Sequence, residues 1–164
     1  MKVALPPPAS CLLPDVLDII GEKWTCAIIL RAMFGTVHFE DFQTNLGIAR
    51  NILSHRLTRL VEQDILTREV VASDKRRVAY HLTEKGWDFL PAMLALRKWT
   101  ERWEDTHSPR CMVVDQRDRL PIRPLRFYSH DGRLLGYEDI LWLNDKGEEV
   151  QRLINPPDII GDAS

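Results

Sequence analysis

Helical periodicity dominates the chain from residue 15 to about residue 105. In four successive segments, apolar residues recur three and four positions apart, the spacing that places them on one face of a helix. These segments predict helices over residues 15–20, 22–34, 39–46 and 49–63. The fourth segment carries a predicted buried stripe of Ile52, Leu53, Leu57, Leu60 and Val61. Glycines at 21, 35 and 47 follow the first three segments, and glycine is well suited to end a helix.

A change of period after the fourth helix predicts two short strands, over residues 66–72 and 77–82. In the second, every other residue is large and apolar, which is the period of a strand with one buried face. The residues of that face are Val78, Tyr80 and Leu82. They alternate with Arg77, Ala79 and His81, so we expect a half-buried strand, joined to the first by a turn over residues 73–76.

A long helix is predicted after the hairpin, over residues 84–105. Thr83 precedes it, where a hydroxyl can accept a hydrogen bond from a free N–H of the first turn. Pro91 is expected to kink or break the helix, because proline lacks a backbone N–H. The helix carries much apolar surface, at Trp87, Leu90, Leu94, Trp99 and Trp103. A small core cannot enclose all of it, so we expect an interface between two copies of the chain.

The order of these elements indicates a winged helix-turn-helix fold, mainly α with a small β-hairpin wing. The third helix, the glycine turn and the fourth helix form the helix-turn-helix. Together with the wing and the long helix they are predicted to make one domain over residues 11–105. A run of prolines at 6–8 predicts a flexible arm over residues 1–10.

A small β-rich C-terminal appendage is predicted over residues 106–152. Prolines become frequent there and helical periodicity stops. Residues 125–129 and 133–137 fit a hairpin around a His-Asp-Gly turn, with residues 141–143 (Leu-Trp-Leu) helping to pack it. Residues 153–164 are expected to be a flexible tail.

Composition and charge narrow the class of function. The 164 residues carry a net charge of −2, so DNA binding would require a local basic patch rather than bulk charge. No apolar run approaches the roughly 18 residues of a membrane helix, and the early prolines interrupt a signal peptide, so we expect a cytoplasmic protein with no membrane partner. The sequence contains no phosphate loop, no HExxH motif and no Gly-x-Ser-x-Gly motif, which predicts that the chain is not an enzyme.

The polar residues of the fourth helix are typical of a surface that reads DNA. They lie on one face and all can form hydrogen bonds: Arg50, Asn51, Ser54, His55 and Thr58. Arg56 and Arg59 belong to the same helix, and residues 49–61 contain no carboxylate. Arginine can bind a guanine edge through two hydrogen bonds, and asparagine can bind adenine in the same way. The alternative interpretation is an ordinary solvated helix face.

Three adjacent cations, Lys75, Arg76 and Arg77, lie at the tip of the predicted hairpin. They are suited to contact phosphates or to enter a minor groove, and the alternative is a turn that only aids solubility. Two functions thus remain open. One is a sequence-specific DNA-binding regulator, and the other is a winged-helix module that binds proteins without DNA. The arginines of the fourth helix favour the regulator.

Residues 11–103 resemble the HxlR-type winged helix-turn-helix regulators of bacteria and archaea. The matching segments are DIIGEKWT at 18–25, IL at 29–30, HF at 38–39, Phe42, GIA at 47–49, Leu53, Leu57, Leu60, ILTR at 65–68, YHLT at 80–83, Gly86 and Trp99. The resemblance implies a homodimeric regulator of transcription that binds a double-stranded, pseudo-palindromic DNA operator. It also implies that the fourth helix is the recognition helix and the hairpin is the wing.

The chain departs from this family at several positions. His38 stands where arginine is usual, which weakens a phosphate contact there. Longer relatives often carry a zinc-ribbon-like module after the last helix, and His107, Cys111 and His130 could be its remnants. A structural zinc site needs about four nitrogen or sulfur ligands. We therefore predict a degenerate module with no metal and no cofactor.

Cys11 is the cysteine most suited to a regulatory role. The resemblance places it before the first helix, where some members sense oxidants or electrophiles with a thiol, and a nearby helix N-terminus lowers a thiol pKa. The alternative is an inert thiol at a dimer interface. A small-molecule effector between the second and last helices, with Trp24 and Trp99 as walls, would be a different switch. Cys26 is predicted to pack in the core.

Overall fold

The structure is a computed structural model that describes residues 13–72, 74, 77–103, 112–123, 125–143 and 146–152. The chain divides into two units, Leu12–Glu104 and a second made of Met1–Cys11 with Asp105–Ser164, and each is described separately. Several residues of interest lie outside the described part: Cys11, Lys75, Arg76, His107 and Cys111. The predicted arm and tail lie outside it as well, and the predicted domain bounds stay a prediction.

The first unit has the element order of a winged helix-turn-helix. Its elements are α1 (Leu13–Ile20), α2 (Thr25–Met33), α3 (Phe39–Leu46), α4 (Arg50–Glu62), β1 (Leu66–Val70), β2 (Val78–Leu82), α5 (Glu84–Trp87) and α6 (Leu90–Trp103). The predicted fold, mainly α with a small hairpin wing, is confirmed. No helix within the described ranges is both long and apolar enough to cross a membrane.

The start of α2 differs from its prediction. The apolar period predicted a helix from residue 22, but α2 begins at Thr25. Trp24 has a φ of 82°, in the left-handed region, and this conformation interrupts the helical hydrogen bonding. The chain therefore makes a tight corner between α1 and α2.

The helix-turn-helix buries a narrow stripe of α4. Leu53, Leu57 and Leu60 are almost fully buried and share the core with Phe42 of α3 and Ile28 of α2. Gly47, with a φ of 61°, ends α3 and turns the chain toward α4. The prediction that Ile52 is buried is wrong, because it lies about 100° around the helix from Leu53 and is 38% exposed. Val61 is half-buried at the edge of the stripe.

The wing is an antiparallel hairpin in which Leu66 lies opposite Leu82. Val78, Tyr80 and Leu82 are half-buried, as the alternation predicts, but Ala79 is only 7% exposed. Ala79, which alternates with these apolar residues, is therefore buried as well. The segment before α3 runs along the other edge of β2, where His38 bridges to Ala79 and the Tyr80 N–H donates to the Val37 carbonyl (2.8 Å). These two contacts attach the segment before α3 to β2, the second strand of the two-stranded wing.

The predicted long helix is two helices, α5 and α6, separated at residues 88–89. Pro91 lies in the first turn of α6, the position where the absent N–H costs no helical hydrogen bond. The predicted cap of α5 is confirmed, since the Gly86 N–H donates to Thr83 Oγ1 (3.0 Å). The Thr83 hydroxyl also lies 2.6 Å from the Asp64 carbonyl oxygen, to which it donates, and so joins α5 to the end of α4.

The second unit contains two short hairpins. β3 (Phe127–Tyr128) pairs with β4 (Leu134–Leu135), which confirms the predicted hairpin in a shorter form. Residues Leu141–Leu143 were expected to pack that hairpin, but they form β5 and pair with β6 (Glu149–Arg152). Their side chains are about half exposed, because a two-stranded hairpin has no second layer to cover them.

Candidate nucleic-acid interface

The outward face of α4 is polar and open to solvent. Leu53 and Leu57 turn inward, and six polar residues of the helix are exposed: Arg50, Asn51, Ser54, His55, Thr58 and Arg59. Asn51, His55 and Thr58 are spaced by four and three residues and lie opposite the buried stripe. An asparagine and a histidine at the centre of such a face can donate and accept hydrogen bonds at base edges.

Arg50 lies at the side of this face that is next to the wing. Its guanidinium carbon is 4.8 Å from the centroid of the Phe39 ring, within range of a cation–π contact. An open cleft of about 390 Å³ runs from there to the wing, and its lining includes Arg77 and Tyr80. Glu40 and Asp41 line the same cleft, so its two arginines are balanced by two carboxylates. The Arg50 side chain therefore contacts the Phe39 ring and remains exposed to solvent.

Arg56 is not part of the outward face. It forms an ion pair with Glu22, and only 18% of its side chain is exposed. Sequence reasoning counted it among the cations of the recognition helix. Its position one residue before Leu57 and three after Leu53 places it beside the buried stripe, and this spacing could have revealed its orientation.

His38 has a structural role that its sequence position does not reveal. Its Nδ1 lies 3.1 Å from the Val78 carbonyl oxygen, and a carbonyl can only accept, so Nδ1 carries the proton. The residue thus joins the start of α3 to the wing strand. It replaces the expected arginine with a contact inside the protein. The two partners are 40 residues apart in the chain, so no local pattern could predict the contact.

At the base of the wing, Arg77 is exposed and its backbone is fixed by the turn. The Arg77 N–H donates to the Asp74 carbonyl (2.9 Å), and the Val71 N–H donates to the Arg77 carbonyl (3.0 Å). The turn therefore presents Arg77 next to the cleft beside Arg50. The other two predicted wing cations, Lys75 and Arg76, lie outside the described residues.

The described cysteine, Cys26, is half-buried on α2. Its thiol points toward the Ile20 carbonyl oxygen at 3.8 Å, and burial raises the pKa of the Cys26 thiol. A raised pKa lowers the fraction of reactive thiolate at neutral pH. Cys26 is therefore poorly suited to redox sensing. His130 is exposed, and the described part of the chain holds no group of residues that could bind a metal ion.

A second surface of the first unit is apolar rather than polar. On α6, Leu96, Trp99 and Trp103 are 54%, 60% and 66% exposed, and Trp87 of α5 is 49% exposed. No described residue of α6 is buried, although the helix is amphipathic. On α1, Val16 and Leu17 are also exposed. Trp24, by contrast, is half-buried and packs against the core.

Comparison with known proteins identifies the family. Residues 19–108 match the model of the HxlR-like helix-turn-helix family. Rv3095 of Mycobacterium tuberculosis (strain ATCC 25618 / H37Rv), an uncharacterised HTH-type transcriptional regulator, is 40% identical over 87 residues, which are 53% of this chain and 55% of Rv3095. This chain thus spans about half the length of Rv3095 and of its two mycobacterial counterparts that it matches.

Solved structures share the fold. PA1607, described as a candidate transcription factor, superposes with a TM-score of 0.76 at 33% identity, covering 84% of this chain and 96% of PA1607. The reduced form of the redox regulator HypR superposes with a TM-score of 0.54 at 29% identity, covering 58% of this chain and 95% of HypR. The matched proteins are transcriptional regulators rather than enzymes. With the winged helix-turn-helix geometry and the match over residues 19–108, the chain belongs to the HxlR-like helix-turn-helix family.

Proposed function

We propose that the chain is a sequence-specific regulator of transcription that binds double-stranded DNA with α4 in the major groove. The observation that carries the proposal is the exposed, polar face of α4, on which Asn51 and His55 are central and Arg50 is flanking. A module that binds only proteins would be expected to present an apolar groove at this face. Large exposed apolar residues of this unit lie instead on α1, α5 and α6.

The proposed DNA contacts fall into two groups. Asn51, Ser54 and His55 read base edges, together with the guanidinium groups of Arg50 and Arg59. The wing contributes Arg77, and with it the predicted cations Lys75 and Arg76, to phosphates or to the adjacent minor groove. Phosphate contacts determine the affinity for any sequence, whereas base contacts determine the preference among sequences.

The proposed assembly is a homodimer. The exposed apolar residues of α1 and α6 support it, because a monomer in water would leave the surfaces of Leu17, Trp99 and Trp103 unpaired. Two-fold symmetry would place two recognition helices about 34 Å apart, one turn of B-DNA. The expected operator is therefore pseudo-palindromic.

An effector is proposed to act through Cys11. The similarity of the chain to HypR, a redox regulator, supports this proposal. An adduct or an intersubunit disulfide at this thiol would act on both subunits at once. We expect mild peroxide or a quinone to release DNA from the parent protein and to have no effect on Cys11→Ser. An equal response of the two proteins would exclude the thiol switch and favour the non-covalent effector between Trp24 and Trp99.

DNA titration tests the central proposal. The full-length protein is used to select duplexes from a randomised library, and its affinity for the best duplex is compared with that for random DNA at two salt concentrations. We expect a preference of roughly 10³-fold or more for the selected duplex, typical of specific DNA-binding proteins. Equal and weak binding of both duplexes would contradict the proposal and favour the protein-binding alternative.

A further inference from the structure

Arg56 is the arginine of α4 that faces the protein. Its partner Glu22 lies in the corner between α1 and α2, two residues after the end of α1. The Arg56 Nε atom is buried and has no hydrogen-bond partner within the described part of the chain. Loss of Glu22 would leave a mostly buried guanidinium without its counter-charge, which is unfavourable. The ion pair therefore holds α4 against the corner.

The corner itself is tightly fixed. The Gly21 N–H donates to the Leu17 carbonyl (2.8 Å), and the Thr25 N–H donates to the Glu22 carbonyl (3.2 Å). A side chain at Gly21 would place its Cβ 2.4 Å from the Leu17 carbonyl oxygen, so this approach requires glycine. Trp24 adopts its left-handed conformation within the same turn. Glu22 is thus a defined point of attachment rather than a residue of a loose loop.

The space around the ion pair is too small for an effector. Residues of α1, α2 and α4 enclose a cavity of about 10 Å³, enough for about one water molecule. Pockets for small molecules are usually larger than roughly 300 Å³. The cavity lining includes Asp18, Arg59 and Gln63. The Arg56–Glu22 pair in this corner therefore serves a contact within the protein rather than the binding of a small molecule.

We propose that Arg56 and Glu22 are positioning residues for DNA recognition. The buried leucines of α4 determine which face is outward, and the ion pair fixes the remaining rotation of the helix about its axis and thereby the direction in which Asn51 and His55 point. Arg56 follows His55 directly, so any rotation that moves one moves the other. Glu22 adjoins α1, whose exposed apolar residues belong to the proposed dimer surface, so the pair links that surface to the reading helix. The inference rests on the proposed function.

The test compares two carboxylates that line the same cavity. Glu22→Gln and Asp18→Asn each remove one negative charge, but among the described residues only Glu22 pairs with Arg56. Affinities of the full-length variants are measured for the selected duplex and for random DNA. We expect Glu22→Gln to weaken binding of the selected duplex by roughly three- to tenfold and to change binding of random DNA little. Asp18→Asn is expected to stay within about twofold of the parent for both.

A charge exchange provides the second arm. Arg56→Gln should lose preference for the selected duplex without lowering the salt dependence, because Arg56 makes no phosphate contact. The double variant Glu22→Arg with Arg56→Glu restores an ion pair of reversed polarity and is expected to recover most of the preference. Thermal unfolding of each variant reports its stability separately. If Arg56→Gln does not fold, Glu22→Gln alone tests the inference. The Glu22 side chain is 40% exposed, so its substitution should leave the fold intact.

Two results would overturn the inference. In the first, Glu22→Gln binds both duplexes more tightly, and Arg56→Gln lowers by about one the slope of log affinity against log salt concentration (the salt slope). Arg56 would then be a phosphate contact that Glu22 restrains. If Glu22→Gln retains the full preference of the parent, the ion pair does not position α4. In both cases the parent still prefers the selected duplex, so the proposed function stands. A parent with no preference would instead contradict the proposed function and, with it, this inference.

Discussion

At the scale of single residues, position separates the side chains of the outward face of α4, which can read bases, from the wing arginines, which can hold phosphates. Asn51→Ala is expected to reduce the binding free energy for the selected duplex by roughly 1–3 kcal/mol and to change that for random DNA little, because a lost base contact reduces discrimination between sequences. Arg77→Ala and Arg76→Ala should each weaken binding of the selected and the random duplex by the same factor, and each should lower the salt slope by about one. Asn45→Ala, an exposed asparagine of α3, is the control. Parent-like discrimination by Asn51→Ala in a titration would show that the reading face is wrongly assigned.

At the scale of elements, one hydroxyl joins the end of α4 to α5, the helix after the wing. Thr83 Oγ1 accepts from the Gly86 N–H and donates to the Asp64 carbonyl, beyond the end of α4. Thr83→Ala should lower the free energy of unfolding by about 1–2 kcal/mol, since both contacts are lost. Thr83→Ser keeps the hydroxyl and should retain most of the stability. Urea unfolding of the two variants measures the difference, and equal midpoints would mean that the hydroxyl contributes nothing.

At the scale of the whole molecule, the apolar surface of α6 is expected to hold two copies together. Trp99→Glu places a charge on this surface at a residue that is 60% exposed, so the fold itself should tolerate it. We expect light scattering at micromolar concentration to report a monomer, and affinity for the selected duplex to fall roughly tenfold or more, because the half-sites bind independently. Leu120→Glu, at a 62% exposed residue of the second unit, is the control. A monomeric parent protein would disprove the proposed dimer.

The sequence by itself was sufficient for the order and type of most elements. The period of the apolar residues predicted α3, α4 and the wing strands, and Thr83 and Pro91 marked the start of α5 and the break before α6. These features depend on neighbours within one or two turns of helix or strand, so local pattern is enough to reveal them. The exposed face of α4 follows from the same periodicity, because a helix that buries Leu53 and Leu57 must turn Asn51 and His55 outward.

Contacts between distant segments were decided only by the tertiary structure. The spacing of the buried leucines places Arg56 beside the stripe, but the spacing does not reveal that Glu22 is its partner. His38 was expected to be a weakened phosphate contact, and the packing of α3 against β2 makes it a partner of Val78. Trp24 looks like the first turn of a helix, but the corner between α1 and α2 requires its left-handed conformation. In each case the outcome depends on a contact with a residue that is distant in the chain, or on the direction in which the chain must turn. The order of residues along the chain does not reveal either of them.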